Sequence, residues 1–363
     1  MDNVTLNRLK ELLSVPSKTY QEDRMVNYIL GVIKSIDGVD VYTDEYKNIY
    51  ATKGNVGDGY FPMFIAHTDT VHELEDVIVV DEAMLPKPPT FGKTFDSELH
   101  RVLRAFTPEG NPTGIGGDDK CGVFIALELL RKLDTIKVGL FVSEETGCHG
   151  SSKCDLNFLQ DVGYVVQFDA PGNHLITEIC SGVRLFEENG EFINRALPVI
   201  EKTMGTTMLR QSHPYTDVSQ IKKKADISCI NISCGYYNMH TKNEFVCIQD
   251  VEDSLNTAMA LVEEFGFEKQ PYIYEPPKFT QYSMFNVNDL DDDDMSDWDN
   301  TLSDGLDDED EDISSEYNDI ILSYGSLNIT SKLTGESVFL DEQEVEDLYE
   351  ILRERINRKY WDV

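Results

Sequence analysis

Residues 63–72 read MFIAHTDTVH, a short apolar run that ends in a group of polar residues. Two later stretches have the same form, VGLFVSEETG at 138–147 and GYVVQFDAPG at 163–172. Apolar runs of this length are typical of strands that are buried on both faces. In open α/β sheets, functional residues collect at the carboxyl ends of such strands. The three stretches therefore predict one sheet with a polar site along one of its edges.

The rest of residues 1–270 alternates between strand-like and helix-like segments, which predicts an α/β fold. The second helix is predicted to begin near Thr19, because TYQE at 19–22 fits a capping box. We expect a mixed, largely parallel sheet with helices on both faces. The strand-like segments are 39–44, 48–54, 63–67, 138–144, 163–170 and 227–235. The helix-like segments are 5–13, 19–36, 121–133, 193–205 and 251–266.

The acidic segment 289–319 separates this region from the C-terminus. It contains sixteen Asp or Glu and no Lys or Arg, so it cannot bury enough apolar surface to fold. SLNITSKLTGESVFL at 326–340 predicts a β-hairpin, and Asp341 is predicted to cap a final helix. We favour a solubilising spacer as the role of the acidic segment, over a hook for basic partners or a flexible lid. The predicted parts are a catalytic domain at 1–270, a disordered linker at 271–319 and a small β-β-α module at 320–363.

The net charge of −36 and the seven scattered cysteines limit the partners and the environment of the chain. Without the acidic segment the charge is about −20, which still disfavours nucleic acid, because phosphate contacts need clustered cations. No run of about 18 apolar residues is present, so no membrane partner is expected. The charged N-terminus does not fit a signal peptide, and unpaired cysteines are typical of a reducing compartment. We expect a cytoplasmic protein.

Five residues of the types that bind metals occur in short motifs along the chain. Two imidazoles and three carboxylates suit a pair of zinc ions, because one carboxylate can bridge both metals. Glycines around the second motif would let the backbone approach a metal closely. The five are His67 in FIAHTDTVH, Asp118 in GIGGDDKCG, Glu145 in FVSEETGCHG, Asp169 in VVQFDAPG and His240 in GYYNMHTKNEF.

Two more carboxylates lie next to these candidates in the sequence. Asp69 follows His67 by two residues and can reach the back of its imidazole, which would fix the tautomer. Glu144 precedes Glu145, and two adjacent glutamates after a strand rarely serve burial. We expect Glu145 to coordinate metal, and Glu144 to accept the proton of the attacking water and pass it to the leaving amine. His72 is interpreted as structural.

The ordered set HxDTV, GxDDKxG, EExGxxG, FDA and GYxxxHxxxEFV resembles the di-zinc exopeptidase superfamily. The similarity is greatest to its branch of tripeptide aminopeptidases, the peptidase T family, with their aminoacylase and carboxypeptidase cousins. It covers roughly residues 4–266. The resemblance implies one zinc ion on His67, Asp118 and Asp169. It implies the other on His240, Asp118 and Glu145, together with a cis peptide bond between Asp118 and Asp119.

One departure from the family pattern concerns its inserted domain, which carries the dimer interface and holds the substrate. Only 70 residues separate Asp169 from His240 here, and they are predicted to form a strand, a helix and a strand. The inserted domain is therefore expected to be absent, which favours a monomer and removes the family's oxyanion-stabilising histidine. Candidate replacements near the motifs are His213, Tyr215 and Tyr237, and Thr216 and Asp217 could shape the site.

The sequence favours a zinc-dependent aminopeptidase that acts on short peptides, with cobalt or manganese as possible replacements for zinc. Two alternatives stay open. An N-acyl amino acid amidohydrolase or a carboxypeptidase would use the same metals. An inactive peptide-binding scaffold would keep only the fold, although no ligand or base position is missing from this chain.

Overall fold

A computed structural model of the protein divides the chain into two compact units, Met1–Pro276 and Pro277–Val363. The structure describes residues 1–89, 93–213 and 215–274 of the first unit. Of the second it describes the backbone of three strands. Residues 289–317 of the acidic segment and the helix predicted to begin at Asp341 lie outside the described residues, so the three-part division stays a prediction.

The described residues contain helices and strands in the following order along the chain. The helices are α1 (Asn3–Leu13), α2 (Asp23–Lys34), α3 (Gly117–Lys132), α4 (His149–Ser152), α5 (Leu156–Leu159), α6 (Glu191–Met204), α7 (Asp217–Lys222) and α8 (Ile248–Phe265). The strands are β1 (Val39–Thr43), β2 (Ile49–Lys53), β3 (Phe61–His67), β4 (Val79–Lys87), β5 (Asp96–Phe106), β6 (Pro112–Thr113), β7 (Ile136–Phe141), β8 (Val162–Ala170), β9 (Leu175–Cys180), β10 (Val183–Arg184), β11 (Leu209–His213), β12 (Cys229–Ser233), β13 (Tyr236–Tyr237), β14 (Phe245–Cys247), β15 (Asn318–Ser323), β16 (Ser326–Ser331) and β17 (Ser337–Leu340).

The main sheet has nine strands in the order β1-β2-β7-β3-β8-β12-β9-β10, with β11 paired to β9. Its centre is parallel, since β7, β3, β8 and β12 all run in one direction. The outer strands β1 and β2 pair antiparallel, and so do β9 and β10. Every residue of β3, β7 and β8 is buried, as the continuous apolar runs predicted. The predicted mixed, largely parallel sheet is confirmed.

Helices cover both faces of this sheet, as expected. Helices α1 and α8 pack on α3, and α3 itself lies on β3 and β8. Another helix, α7, contacts β12 and is covered by α4. The sequence determines where helix α1 begins. The side chain of Asp2 accepts a hydrogen bond from the Thr5 N–H at 2.7 Å and so caps the N-terminus of this helix. Leu6, Leu9 and Leu13 then follow at helical spacing and are buried.

The capping box predicted at Thr19 is wrong. The helix α2 begins at Asp23, and Glu22, the N-cap residue before it, makes no side-chain capping hydrogen bond. Thr19 instead donates its hydroxyl to Oδ2 of Asp69 at 2.8 Å. The carboxylate of Glu22 accepts hydrogen bonds from the N–H and the hydroxyl of Ser143, both at 3.1 Å. These tertiary bonds compete with the local cap, so the TYQE segment braces the loops after β3 and β7.

A second sheet, which the sequence reasoning missed, has the order β13-β14-β5-β4, with β6 beside β5. Its long strands β4 and β5 pair antiparallel, and many of their side chains are exposed. Because side chains on both faces are exposed, the sequence of these strands has little hydrophobic periodicity, and the strands could not be predicted from it. The sheet matters for the site because β13 and β14 flank the loop that carries His240.

The residues between Asp169 and His240 were predicted to form a strand, a helix and a strand, but they add four strands to the main sheet, β9, β10, β11 and β12, and contain two helices, α6 and α7. In the described part of this stretch they form no separate domain, in agreement with the expected loss of the insertion. A search of the described residues for a helix long and apolar enough to cross a membrane found none.

The second unit contains a three-stranded antiparallel sheet in the order β15-β16-β17. Strands β16 and β17 pair with Leu327 opposite Leu340, which agrees with the predicted hairpin. Strand β15 was not foreseen; it pairs with β16 along its whole length.

Candidate metal centre

The structure brings the five candidate ligands together, with Glu144 and Asp69 beside them. Four of the seven positions depend directly on the parallel centre of the sheet, whose strands end side by side. His67 is the last residue of β3, Asp169 lies near the end of β8, and Glu144 and Glu145 follow β7. Asp118 lies in the first turn of α3, where its φ and ψ are not helical, and its peptide bond to Asp119 is cis, as the resemblance implied.

Asp118 occupies the middle of the group. Its Oδ1 lies 3.1 Å from Nε2 of His67, and its Oδ2 lies 3.3 Å from Nε2 of His240. Each carboxylate oxygen therefore faces a different imidazole. A carboxylate that bridges two cations needs this arrangement, with one oxygen available to each.

Each imidazole also has a second carboxylate beside it. Oδ1 of Asp169 lies 3.6 Å from Nε2 of His67, and Oε2 of Glu145 lies 3.3 Å from Nε2 of His240. The donor atoms of His67, Asp118 and Glu145 lie within 4.8 Å of one another, and so do those of His67, Glu144 and Asp169. These residues could hold two neighbouring cations that share Asp118, although which residues bind metal stays a prediction.

Asp69 connects His67 to the glutamate pair. Its Oδ1 lies 3.4 Å from Nδ1 of His67, and its carbonyl oxygen lies 3.1 Å from the same nitrogen. The carboxylate also accepts hydrogen bonds from the N–H groups of Glu144 at 2.9 Å and Glu145 at 3.2 Å. One buried side chain thus orients an imidazole and the backbone of both glutamates. This is the role expected of a carboxylate behind a metal-binding histidine.

Glu144 is buried and directed into the cluster, with its Oε2 3.9 Å from Nε2 of His67. Burial is the main cause that raises the pKa of its carboxyl well above the ordinary value, and the nearby Asp169 and Glu145 raise it further. The preceding residue, Ser143, has a left-handed φ of 53°, so the chain turns sharply where β7 leads into the glutamates. Such strain in a non-glycine residue is typical of functional loops.

The electrostatics of the cluster reflect its excess of carboxylates. Burial disfavours the charged form of His67, but Glu144, Asp169 and Asp118 outweigh it and raise the imidazole pKa well above 6.5. Hydrogen bonds to Asp118 and Glu145 raise the pKa of His240 to about 11. Burial and the charge of Asp118 raise the pKa of Glu145 to about 7. The group as a whole thus stabilises positive charge.

One carboxylate oxygen in the cluster lacks a partner. Oε1 of Glu145 is buried and accepts no hydrogen bond from the described residues, which is costly for a carboxylate. A cation would satisfy it. Imidazole nitrogens with carboxylate oxygens are also a donor set that suits zinc, cobalt and manganese. The residues present therefore fit a pair of divalent metal ions.

Access to the cluster is one-sided. The His67 side chain is 1% exposed, whereas that of His240 is 35% exposed. His240 lies in the loop between β13 and β14 and has a left-handed φ of 63°. A substrate would therefore approach the cluster from the side of His240.

Several residues hold Asp169, and the sequence reasoning had identified only one of them. Thr216 donates its hydroxyl to Oδ2 of Asp169 at 2.9 Å, which fits the supporting role considered for it. The side-chain amide of Gln167 donates to the same oxygen at 3.1 Å, and the Asp169 N–H donates to the side chain of Asn231 at 2.8 Å. Gln167 could have been recognised, since a glutamine within an apolar strand shares a face with the residue two positions on. Asp217 is also buried, and burial is the main cause that raises the pKa of its carboxyl to about 7.

The three candidate oxyanion donors have different surroundings. The Tyr215 hydroxyl donates to the carbonyl oxygen of Glu145 at 3.4 Å, so it lies beside the cluster. Nδ1 of His213 lies 2.8 Å from the carbonyl oxygen of Tyr215. The Tyr237 hydroxyl donates to Asp250 at 2.7 Å instead. Its neighbour Tyr236, which the sequence reasoning missed, donates to Oδ1 of Asp169 at 3.4 Å.

No protein-family model matches the chain, and no curated protein sequence matches it either. Solved structures do match. The aminopeptidase PepT from Bacillus cereus has a TM-score of 0.56 and 15% identity, over 72% of this chain and 97% of that one. A tripeptidase from Staphylococcus aureus has a TM-score of 0.54 and 14% identity, over 71% and 97%. The TET aminopeptidase from the marine sediment archaeon Thaumarchaeota archaeon SCGC AB-539-E09 has a TM-score of 0.52 and 12% identity, over 72% and 96%. The chain shares with them the zinc-exopeptidase-like fold.

Proposed function

We propose that this protein is a metal-dependent aminopeptidase that hydrolyses short peptides. The observation that carries the proposal is the position of Asp118, which presents one carboxylate oxygen to His67 and the other to His240. Glu144 lies beside this arrangement as a free carboxylate. The fold adds support, because two structures that share it are described as an aminopeptidase and a tripeptidase.

The two metal ions of the proposal are zinc, or cobalt or manganese in its place. His67, Asp118 and Asp169 would hold one ion, and His240, Asp118 and Glu145 the other. Bound there, the ions supply Lewis acidity, which polarises the scissile carbonyl and makes water a better nucleophile at neutral pH.

The side chains of the protein manage the proton transfers. Glu144 accepts a proton from the attacking water as its oxygen adds to the carbonyl carbon, and the same carboxyl returns that proton to the leaving amine as the C–N bond breaks. Asp69 keeps His67 and the backbone of Glu144 in place during both steps, through the contacts that its Oδ1 makes with each. Tyr215 is the best-placed candidate to donate a hydrogen bond to the substrate carbonyl oxygen, for which its hydroxyl would turn from the Glu145 carbonyl oxygen, 3.4 Å away.

An aminopeptidase is favoured over an amidohydrolase or a carboxypeptidase for two reasons. A free peptide amine could bind one of the proposed metal ions, which an acylated nitrogen cannot do. In addition, the described residues between Asp169 and His240 build the main sheet and leave no separate domain to hold a substrate carboxylate. The inactive scaffold is disfavoured because every expected ligand and base position carries the right residue.

The free amine of the substrate is therefore expected to be required. A tripeptide and its N-acetylated form should differ by about 100-fold or more in kcat/KM, because an acetylated nitrogen can no longer bind a metal ion. The assay compares release of the first and of the last residue in the presence of zinc, with the C-terminally amidated tripeptide as the matched control. Equal cleavage of the acetylated peptide, with loss of the amidated one, would identify a carboxypeptidase.

Removal of residues 285–363 is expected to leave kcat/KM for a tripeptide unchanged. All the candidate ligands and Glu144 belong to the unit Met1–Pro276, and the acidic segment 289–319 is too poor in apolar residues to cover a site. The measurement compares steady-state kinetics of the full and shortened chains at equal zinc. A marked loss of activity in the shortened chain would make this segment a lid or a docked module instead of a spacer.

For partners and location we propose a monomer in the cytoplasm that binds no nucleic acid and no membrane. All seven cysteines are buried and free, which suits a reducing compartment. The acidic net charge of −36 opposes binding to polyanions.

A further inference from the structure

A buried glutamate outside the set of candidate ligands connects the two loops that carry Asp118 and His240. Glu244 lies four residues after His240 and is 0% exposed. Its own N–H donates to the carbonyl oxygen of Thr241 at 3.1 Å, which closes the turn of the His240 loop. The charge of a fully buried carboxylate is costly unless hydrogen bonds stabilise it, so its partners reveal what it does.

Two of those partners belong to the backbone around Asp118. Oε1 of Glu244 accepts a hydrogen bond from the Asp118 N–H at 3.1 Å. Oε2 accepts one from the Gly116 N–H at 3.0 Å. The carboxylate thus fixes the Ile115–Gly116 and Gly117–Asp118 peptide groups, immediately before the bridging candidate.

The third partner is His72, whose Nε2 lies 2.6 Å from Oε2 of Glu244. The sequence predicts only a structural role for His72 and no role for Glu244. The glycines of the loop make room for this pair. A Cβ atom at Gly114 would overlap the ring of His72, and one at Gly117 would lie 3.2 Å from Oε1 of Glu244 and 2.7 Å from Cβ of Tyr236. The GIGG segment is therefore shaped around the Glu244–His72 pair.

The link from Glu244 to the Asp118 backbone matters more for the His240 side of the cluster than for the His67 side. On one side, His67 and Asp169 are fixed by strands β3 and β8 and by their own hydrogen bonds to Asp69 and Thr216. On the other side, His240 is partly exposed and lies in a loop. Within the described residues, Glu244 is what joins that loop to the backbone of Asp118.

We propose that Glu244 and His72 form a positioning pair that holds the bridging carboxylate of Asp118 at the correct distance from His240. The pair thereby sets the affinity for the metal ion on the His240 side more than for the ion on the His67 side. This inference rests on the proposed metal-binding function.

The test is a titration of metal-free protein with cobalt(II), followed by calorimetry and by the visible absorption of each bound ion. The wild type is expected to bind two ions. Glu244→Gln keeps the size of the side chain, but its amide nitrogen cannot accept the bond from Gly116 or His72. We expect the first ion to bind as in the wild type, and the second about 10- to 100-fold more weakly with an altered spectrum. His72→Gln should weaken the same ion by a smaller factor.

A glycine pair provides an independent route to the same result. Gly114→Ala would push the His72 ring away from Glu244 without touching either candidate ligand. Gly31→Ala is the matched control, because a Cβ atom there meets no heavy atom within 4 Å. Gly114→Ala should weaken the second ion selectively, and Gly31→Ala should weaken neither, with thermal unfolding of the metal-free proteins measured alongside.

The possible outcomes separate this inference from the proposed function. If the wild type binds two ions and the variants bind both as tightly, the positioning role is wrong and the metal site stands. If the variants weaken both ions equally and lower the unfolding temperature of the metal-free protein, the pair is only structural. If the wild type binds no metal, the proposed function itself fails.

Discussion

Replacement of Glu144 by glutamine is expected to remove peptidase activity while leaving two metal ions bound per chain. A carboxamide has the size of a carboxyl group but cannot take a proton from water, so the loss should reach the 10²- to 10⁴-fold that general acid–base catalysis contributes. The measurements are kcat/KM for a tripeptide, metal content by elemental analysis and folding by circular dichroism. Glu263→Gln on the exposed side of α8 is the matched control.

The metal content of this variant decides between two roles for Glu144. Its carboxylate oxygen lies 3.9 Å from Nε2 of His67, and its donor atoms group with those of His67 and Asp169. A ligand and a base are therefore both compatible with its position. Loss of one ion in Glu144→Gln would make the side chain a ligand, and full activity with both ions retained would remove it from catalysis.

The centre of the fold could be predicted because its strands are encoded locally. Each of β3, β7 and β8 is a short apolar run, and the polar residues that follow it meet at one edge of the sheet since parallel strands end together. The hairpin of β4 and β5 gave no such signal, because most of its side chains alternate between partial and full exposure. The local pattern also gave a wrong prediction at Thr19, because its hydroxyl donates a hydrogen bond to Asp69 and does not cap a helix.

The candidate ligands could also be predicted from local motifs. The residues that hold them in place through hydrogen bonds could not. His67 and Asp69 lie two residues apart, so their contact follows from the sequence itself. Glu244 accepts a hydrogen bond from the Asp118 N–H, 126 residues earlier in the sequence. Gln167 accepts one from the hydroxyl of Thr216, 49 residues later. A glutamate in a loop and a threonine before a helix have many uses. Only the tertiary fold shows which backbone group or side chain each one holds.

Replacement of Asp118 by alanine is expected to remove both metal ions, because each of its oxygens faces a different imidazole. Without it, one ion would keep only His67 and Asp169, and the other only His240 and Glu145. Catalytic zinc sites normally have three protein ligands, so two should not retain zinc against dialysis. The remaining buried carboxylates would stay uncompensated, and activity would be lost with the metal.

The measurement is elemental analysis after dialysis against micromolar zinc, with Asp37→Ala in an exposed turn as the control. The wild type and the control should contain two zinc ions per chain, and Asp118→Ala well below one, with circular dichroism unchanged. A variant that keeps one tightly bound ion would mean that Asp118 serves a single metal and that the other ion has its own ligands. A folded wild type without zinc would be harder to reconcile with a hydrolase, because the acidic cluster would then have no cation to polarise a peptide bond. The peptide-binding scaffold would become the better account of the fold.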